Sequence, residues 1–127
     1  MTISLSIHGL LFDPFEFLMT ADDFPKEYTI WEQDELMKDE GSGVTLFFDT
    51  SNELSFLPFA LGRFLLRNKE LLECCANVQK ELNIVIETEV LQNIPGNVIV
   101  DYKLSPKLMA LLAALDIQLT IGKTLVI

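Results

Sequence analysis

The chain contains one histidine, His8, and this limits the catalysis that its side chains can support. A histidine base or a histidine-bound metal would depend on this residue alone. Ser4 and Ser6 lie on the same side of an alternating stretch, so a Ser–His pair can be drawn. A nucleophilic serine, however, needs a sharp turn that exposes its oxygen, and Ser6 lies inside the strand-like stretch. The pattern therefore favours an ordinary polar strand residue at His8.

The two cysteines, Cys74 and Cys75, are neighbours in the sequence. Adjacent cysteines are poorly placed for an ordinary disulfide, so we expect two reduced thiols, as is typical of cytoplasmic proteins. A structural zinc site would need two more soft ligands, and only His8 is available. Adjacent positions on a helix point about 100° apart, so we expect at least one thiol to pack in the core.

A different chemistry would use carboxylates on strands. Asp101-Tyr102-Lys103 follows Glu87 and Glu89, an arrangement that resembles half of a metal-dependent nuclease core, in which carboxylates hold Mg²⁺. A domain with a net charge of −10 would repel a polyanionic substrate. Cross-strand charge pairing is therefore the favoured interpretation. A metal-dependent hydrolase with Glu87, Glu89 and Asp101 around the ion is the alternative.

Cofactor-binding loops are not recognised in the sequence. Its six glycines form neither a Gly-x-Gly-x-x-Gly loop nor a Walker-type loop, so nucleotide binding is not predicted. The acidic loop over 33–43 lacks the alternating oxygen ligands around an internal glycine that an EF-hand requires. We therefore expect no cofactor and no dedicated metal site, and we interpret the loop as solvated.

The net charge is confined to the first 53 residues, which contain twelve acidic and two basic residues. From residue 54 onward there are seven of each, so the whole −10 belongs to the first part of the chain. A confined acidic field attracts cationic partners and repels nucleic acid and anionic membrane surfaces. The sequence therefore predicts a basic protein partner.

Aromatic residues are interleaved with these acids, as in Phe24, Tyr28 and Trp31. At protein interfaces aromatic side chains supply contact energy, and charges steer the encounter. The alternative is that the aromatics are ordinary strand residues and the acids keep an apolar protein soluble. The segregation of charge favours the interface. The predicted partner-binding residues are Asp22, Asp23, Glu27, Tyr28, Trp31, Glu32, Asp34, Glu35, Asp39 and Glu40.

Strands and helices alternate along the chain and must position these residues. Period-two patterns predict strands over 2–8, 26–32, 44–49, 84–91, 98–103 and 117–121. Helices are predicted after Asp13-Pro14, over 51–82 as two consecutive helices or one kinked helix, and after Ser105-Pro106. This order indicates an α+β fold, with helices on one face of a mixed, mostly antiparallel sheet. Strand, cap-proline, helix and strand occur near both ends, a weak echo of two pseudo-equivalent halves.

Length and hydropathy are typical of one domain, residues 1–127. Half of the residues are hydrophobic, nine of them phenylalanine, which is sufficient for one core. The start of the sequence has no basic region before an apolar stretch, and no apolar run approaches the roughly 20 residues that span a bilayer. We therefore expect a cytoplasmic protein without a membrane partner.

Three segments together resemble one bacterial family. They are the opening strand with Asp13-Pro14, the helical region Leu65-Leu66…Lys69…Leu71-Leu72, and the stretch Leu104-Ser105-Pro106-Lys107-Leu108…Leu111-Leu112-Ala113-Ala114-Leu115-Asp116-Ile117. On these segments the chain resembles the family numbered 4279 among the domains of unknown function. The middle departs from the pattern, because an acidic loop follows the tryptophan. The resemblance implies a bacterial cytoplasmic α+β domain and brings no catalytic residues with it.

These observations predict a non-enzymatic protein-binding domain with an acidic N-terminal half. The most concrete form is an immunity or antitoxin-type protein that neutralises a basic, nuclease-like toxin domain by covering its cleft. Two alternatives remain beside it: the metal-dependent hydrolase, and a structural domain that oligomerises through the apolar tail 125–127. The sequence leaves the oligomeric state open.

Overall fold

A computed structural model describes residues 2–31, 41–48, 57–75, 77–89 and 106–126. Their elements, in chain order, are β1 (Thr2–Gly9), α1 (Pro14–Thr20), β2 (Glu27–Trp31), β3 (Ser42–Phe48), α2 (Leu57–Arg67), α3 (Lys69–Cys74), β4 (Gln79–Glu89), α4 (Pro106–Ala114) and β5 (Gln118–Val126). Among the helices of this described part, none combines the length and the apolar character that crossing a membrane requires.

The five strands form one sheet in the order β2-β3-β1-β4-β5. Three ladders are antiparallel, and the β4–β5 ladder is parallel. The predicted α+β class with a mixed, mostly antiparallel sheet is therefore confirmed. β1 is the central strand, and its alternation gives it one apolar face, Ile3, Leu5 and Ile7, which is almost fully buried.

The core lies between this face of the sheet and the helices. Val44 and Leu46 of β3 and Leu82 of β4 share it with the buried side chains of the helices, such as Phe64 and Leu72. Burial of each such side chain contributes about 1.5–3 kcal/mol. The opposite face of the sheet, here called the polar face, carries hydroxyl and amide side chains; on it the hydroxyl oxygens of Ser6 and Thr45 are 2.9 Å apart.

The start of α1 follows the predicted cap-proline pattern. The Asp13 carboxylate accepts hydrogen bonds from the backbone N–H groups of Phe15 and Glu16, and Pro14 is the first helical residue. α4 likewise begins with proline, at Pro106. The predicted strand over 98–103, which would form a hairpin with 84–91 and begin the second half of the internal echo, lies outside the described residues. The helix and the closing strand of that half are described, as α4 and β5.

The 51–82 region is divided at Asn68 into α2 and α3. The backbone hydrogen bonds from Asn68 N to Phe64 O and from Leu72 N to Asn68 O continue the helical pattern across the junction. The prediction that helix continues through Val78 and Leu82 is wrong, because β4 begins at Gln79. Leu82 belongs to a period-two pattern that a buried lysine, Lys80, conceals in the sequence.

The closing strand is longer than predicted. β5 continues past residue 121 to Val126, in parallel register with β4 from Glu81↔Gln118 to Glu89↔Val126. The apolar residues Leu125 and Val126 of the tail therefore pair with β4 of the same chain. Oligomerisation through the tail stays a prediction.

Candidate functional site

Five of the ten predicted partner-binding residues lie in one segment at the margin of the sheet. We call residues 22–31, which comprise β2 and the turn before it, the β2 edge. β3 pairs with β2 along all five strand residues, from Glu27↔Phe47 to Trp31↔Gly43. Among the described strands, none pairs with the other side of β2. An edge strand of this kind presents backbone N–H and C=O groups to a further strand.

Two exposed aromatic rings contact each other at the β2 edge. The ring centroids of Phe24 and Tyr28 are 5.7 Å apart at an interplanar angle of 78°, an edge-to-face arrangement. Their exposed fractions are 36% and 43%, so both rings remain available to a partner. Phe24 also lines a cavity of about 360 Å³, together with Phe47 and Phe48.

Tyr28 and Trp31 project from opposite faces of the sheet, as the alternation in the sequence predicts. Tyr28 lies opposite the core residue Leu46, whereas Trp31 lies opposite Gly43 on the polar face. The indole packs over Gly43, where an added Cβ would be 2.6 Å from Cε2 of Trp31. Its ring centroid is 6.2 Å from that of His8. The only histidine therefore lies beside the indole on the polar face.

Asn68 fixes the start of the β2 edge. Its buried side chain accepts a hydrogen bond from the backbone N–H of Asp22 at 2.7 Å and donates one to the Asp22 carbonyl at 2.7 Å. The same amide nitrogen donates to the Phe64 carbonyl at 2.8 Å. The side-chain amide thus imitates a strand partner for Asp22, and it joins the turn to the α2–α3 junction.

Asp23 has an internal role that the sequence does not indicate. Its backbone adopts a positive φ of 59°, and its carboxylate lies 2.6 Å from Nε of Arg63 and 3.8 Å from the Arg67 guanidinium. Such solvent-exposed ion pairs contribute about 0–1 kcal/mol each. Their main effect here is on the local charge, because two cations compensate this carboxylate.

The described part of the β2 edge is therefore close to charge balance. Asp22, Asp23 and Glu27 lie near Lys26 and the two α2 arginines. The other five predicted binding acids, Glu32, Asp34, Glu35, Asp39 and Glu40, lie outside the described residues. Within residues 32–40 the sequence has these five carboxylates and one lysine. The acidic excess assigned to this site thus resides mainly in the residues that follow β2.

A second concave surface was missed by the sequence reasoning. A cleft of about 330 Å³ lies between α1 and the segment from α3 to β4, and we call it the α1 cleft. Its lining residues are Leu11, Phe12, Asp13, Glu16, Phe17, Thr20, Leu71, Cys75 and Val78. A signal was present, because the apolar residues Phe15, Phe17, Leu18 and Met19 are spread around most of the circumference of α1, more than one buried face can accommodate.

The cysteines differ in their surroundings, and both are free thiols. Cys74 is exposed, whereas Cys75 is half-buried against the core and lines the α1 cleft, as the expectation of one packed thiol requires. Burial raises the pKa of Cys75, the neighbouring Cys74 raises it further, and Lys80 acts in the opposite direction. The Lys80 ammonium is itself buried and donates to the Leu72 carbonyl at 3.1 Å.

Metal-dependent chemistry would require several ligating side chains in one place. Within the described part of the chain, no three His, Cys, Asp or Glu side chains come together in a way that could hold a metal ion. Glu87 and Glu89 lie on β4 in register with Thr124 and Val126, and Asp101 lies outside the described residues. Of the three residues proposed for the metal-dependent hydrolase, the structure thus describes only the strand positions of Glu87 and Glu89, and the hydrolase stays a prediction.

Comparison with known proteins finds no relative of this chain. No protein-family model, curated protein or solved structure matches the chain. The resemblance to the bacterial family numbered 4279 therefore stays a prediction.

Proposed function

We propose that this chain is a non-enzymatic binding domain that docks a basic protein at the β2 edge. The observation that carries the proposal is the exposed contact between Phe24 and Tyr28 at the margin of the sheet. Aromatic side chains dominate interface energies because they bury a large area and have few rotatable bonds. The carboxylates of Asp22 and Glu27 are close enough in the chain to meet lysine and arginine side chains of the partner.

The partner approaches the margin of the sheet and not one of its faces. A surface that covers only one face cannot contact both Tyr28 and Trp31, because they project to opposite sides. An extended segment that adds to the outer side of β2 reaches both, since its own side chains alternate between the faces. Strand addition is therefore the binding mode that the proposal requires.

The most specific form of the proposal is an immunity protein that neutralises a cationic toxin domain such as a nuclease. Its support is the net charge of −10, all of which falls in residues 1–53. A charge of that size accelerates association with a basic protein and imitates the polyanion that a nuclease binds. An enzyme's catalytic set is not needed for this function.

The test is affinity capture from an extract of the native host with three immobilised proteins: wild type, Tyr28→Ser and Ile121→Ser. Ile121 is the matched control, because it lies on the other edge strand, β5, and is also half exposed. We expect wild type and Ile121→Ser to retain the same basic protein, Tyr28→Ser to lose most of it, and high salt to release it. Capture that does not depend on salt concentration, or equal capture by Tyr28→Ser, would contradict docking at the β2 edge.

The captured protein is then assayed for nuclease activity. In the immunity form of the proposal, an equimolar amount of the chain abolishes the cleavage of nucleic acid. A partner without nuclease activity, or one that remains active in the complex, refutes the immunity role and leaves docking at the β2 edge standing.

A further inference from the structure

The α1 cleft combines an apolar interior with an acidic margin. Phe12, Phe17, Leu71 and Val78 supply apolar surface, while Asp13 and Glu16 supply two carboxylates. Its volume of about 330 Å³ lies at the lower end of the range of roughly 300–1,000 Å³ that is usual for ligand sites. No residue of the β2 edge belongs to this lining.

Exposed apolar side chains are concentrated beside the cleft. Leu10, Leu11, Phe15 and Met19 are four of the nine large apolar side chains that are exposed in the described part of the chain. The exposed fractions of Leu11 and Met19 reach 92% and 88%. Phe15 and Met19 are one turn apart on α1 and form the row next to Glu16 and Thr20. Exposed apolar side chains grouped in this way mark interaction sites.

The charges that face the cleft are of one sign. Asp13 and Glu16 are the charged residues that the described part of the chain contributes to its lining, and no lysine, arginine or histidine of that part belongs to it. The nearby Lys80 is buried, and its ammonium is hydrogen-bonded to the Leu72 carbonyl. A cationic group that enters the margin of the cleft therefore meets the exposed carboxylate of Glu16 and, beside it, that of Asp13, which also caps α1 through its Oδ1 atom.

We propose that the α1 cleft is a second docking site, which takes an apolar side chain and an adjacent lysine or arginine from a basic amphipathic segment of a partner protein. The apolar interior and rim fit the first group, and the two carboxylates fit the second. A second copy of the chain fits poorly because each copy has a net charge of −10. An anionic membrane surface is repelled for the same reason.

Cys75 provides a reporter inside the cleft. Its thiol belongs to the lining, so a bound segment shields it from an alkylating reagent. In a Cys74→Ser protein it is the only thiol, because the chain has two cysteines. The rate of Cys75 alkylation by iodoacetamide then measures occupancy of the cleft directly.

The experiment titrates this protein with a synthetic helical peptide that has leucine at every third or fourth position and lysine between them. We expect the peptide to slow Cys75 alkylation at least several-fold at saturation. Met19→Ser should weaken the peptide's apparent affinity about ten-fold through lost apolar contact. Glu16→Gln should weaken it about two- to five-fold, as expected for an exposed charge pair. Leu66→Ser is the matched control and should change nothing, because Leu66 is exposed on α2 outside the lining.

Four outcomes would overturn the inference: no protection by the peptide, equal protection when glutamate replaces its lysines, equal protection by vesicles of anionic lipid, or protection that rises with protein concentration alone. The last would indicate self-association. The inference also stands apart from docking at the β2 edge. Tyr28→Ser should leave the protection of Cys75 unchanged, and a loss of protection in that variant would refute an independent site.

Discussion

The β2 edge and the α1 cleft are two surfaces of the acidic N-terminal region, and they are built in opposite ways. The β2 edge is fixed by polar contacts, and arginines of α2 compensate part of its acidic charge. The α1 cleft has an apolar interior and an exposed apolar rim, and the charged residues that the described chain contributes to its lining are both carboxylates. The net charge of a segment therefore indicates the sign of its partner but overstates the charge at the interface, because folding uses Asp13 as a helix cap and Asp23 as an ion-pair partner.

The largest expected effect tests the polar anchoring of the β2 edge. Asn68→Ala removes three hydrogen bonds and leaves the backbone groups of Asp22 and Phe64 without those partners. We expect the free energy of unfolding to fall by about 2–4 kcal/mol. Chemical denaturation measures the loss, and amide hydrogen exchange should be accelerated more over residues 22–31 than over α1.

Asn83→Ala is the matched control, since Asn83 lies half-buried on β4 opposite Ser4 on the polar face. That substitution should change stability by about 0.5 kcal/mol or less. If both variants lost the same stability, or if exchange at the β2 edge stayed as slow as in wild type, Asn68 would not be its anchor.

An intermediate effect tests the position of Trp31. Gly43→Ala introduces a Cβ that overlaps the indole and lies 2.7 Å from the His8 Cβ, so the ring must move. We expect a loss of about 1–3 kcal/mol in the free energy of unfolding. Because the chain has one tryptophan, a shift of its fluorescence emission reports the displacement directly.

Gly122→Ala on β5 is the corresponding control, because an added Cβ there meets no atom within 4 Å. It should leave emission and stability close to those of wild type. Equal behaviour of the two variants would mean that the indole does not depend on Gly43, and the contrast between the two edge strands would disappear.

The parts of the fold that could be predicted from the sequence have strong local signals. Ile3, Leu5 and Ile7 alternate with polar residues over one strand, and Asp13-Pro14 has the residue types of a helix start. The strand at 79–83 was missed because Lys80 occupies an inward position, and an inward lysine breaks the apolar alternation. The buried Lys80 ammonium donates to the Leu72 carbonyl, a backbone acceptor that cannot be predicted from a sequence pattern.

The candidate site was predictable to a smaller extent. The alternation around Tyr28 correctly predicts that Trp31 projects from the other face. The link between Asp22 and Asn68 could not be predicted, because the two residues are 46 positions apart and each has an ordinary loop or helix interpretation. The sequence of α1 shows only that it has more apolar residues than one face can bury; that Leu71 and Val78 form the other wall of the α1 cleft is a tertiary relation that local patterns do not predict.

The smallest expected effect is on the pH at which the Cys75 thiol of the α1 cleft becomes reactive. Burial holds the pKa of Cys75 above its ordinary value of 9.0, so alkylation in the Cys74→Ser protein should have its pH midpoint above 9.0. The Cys74 thiol, measured in Cys75→Ser, is exposed and should react faster below that pH.

The free energy of unfolding should depend on pH through the same Cys75 thiol. The folded protein binds the Cys75 proton more tightly than the unfolded chain, so this contribution is fully present below pH 9.0 and is lost as the pH rises through the raised pKa. Above pH 9.0, the free energy of unfolding of Cys74→Ser should therefore fall more steeply than that of Cys74→Ser/Cys75→Ser, a difference that denaturation at several pH values measures. An alkylation midpoint at or below 9.0 would mean that the thiol faces solvent and that the cleft does not enclose it.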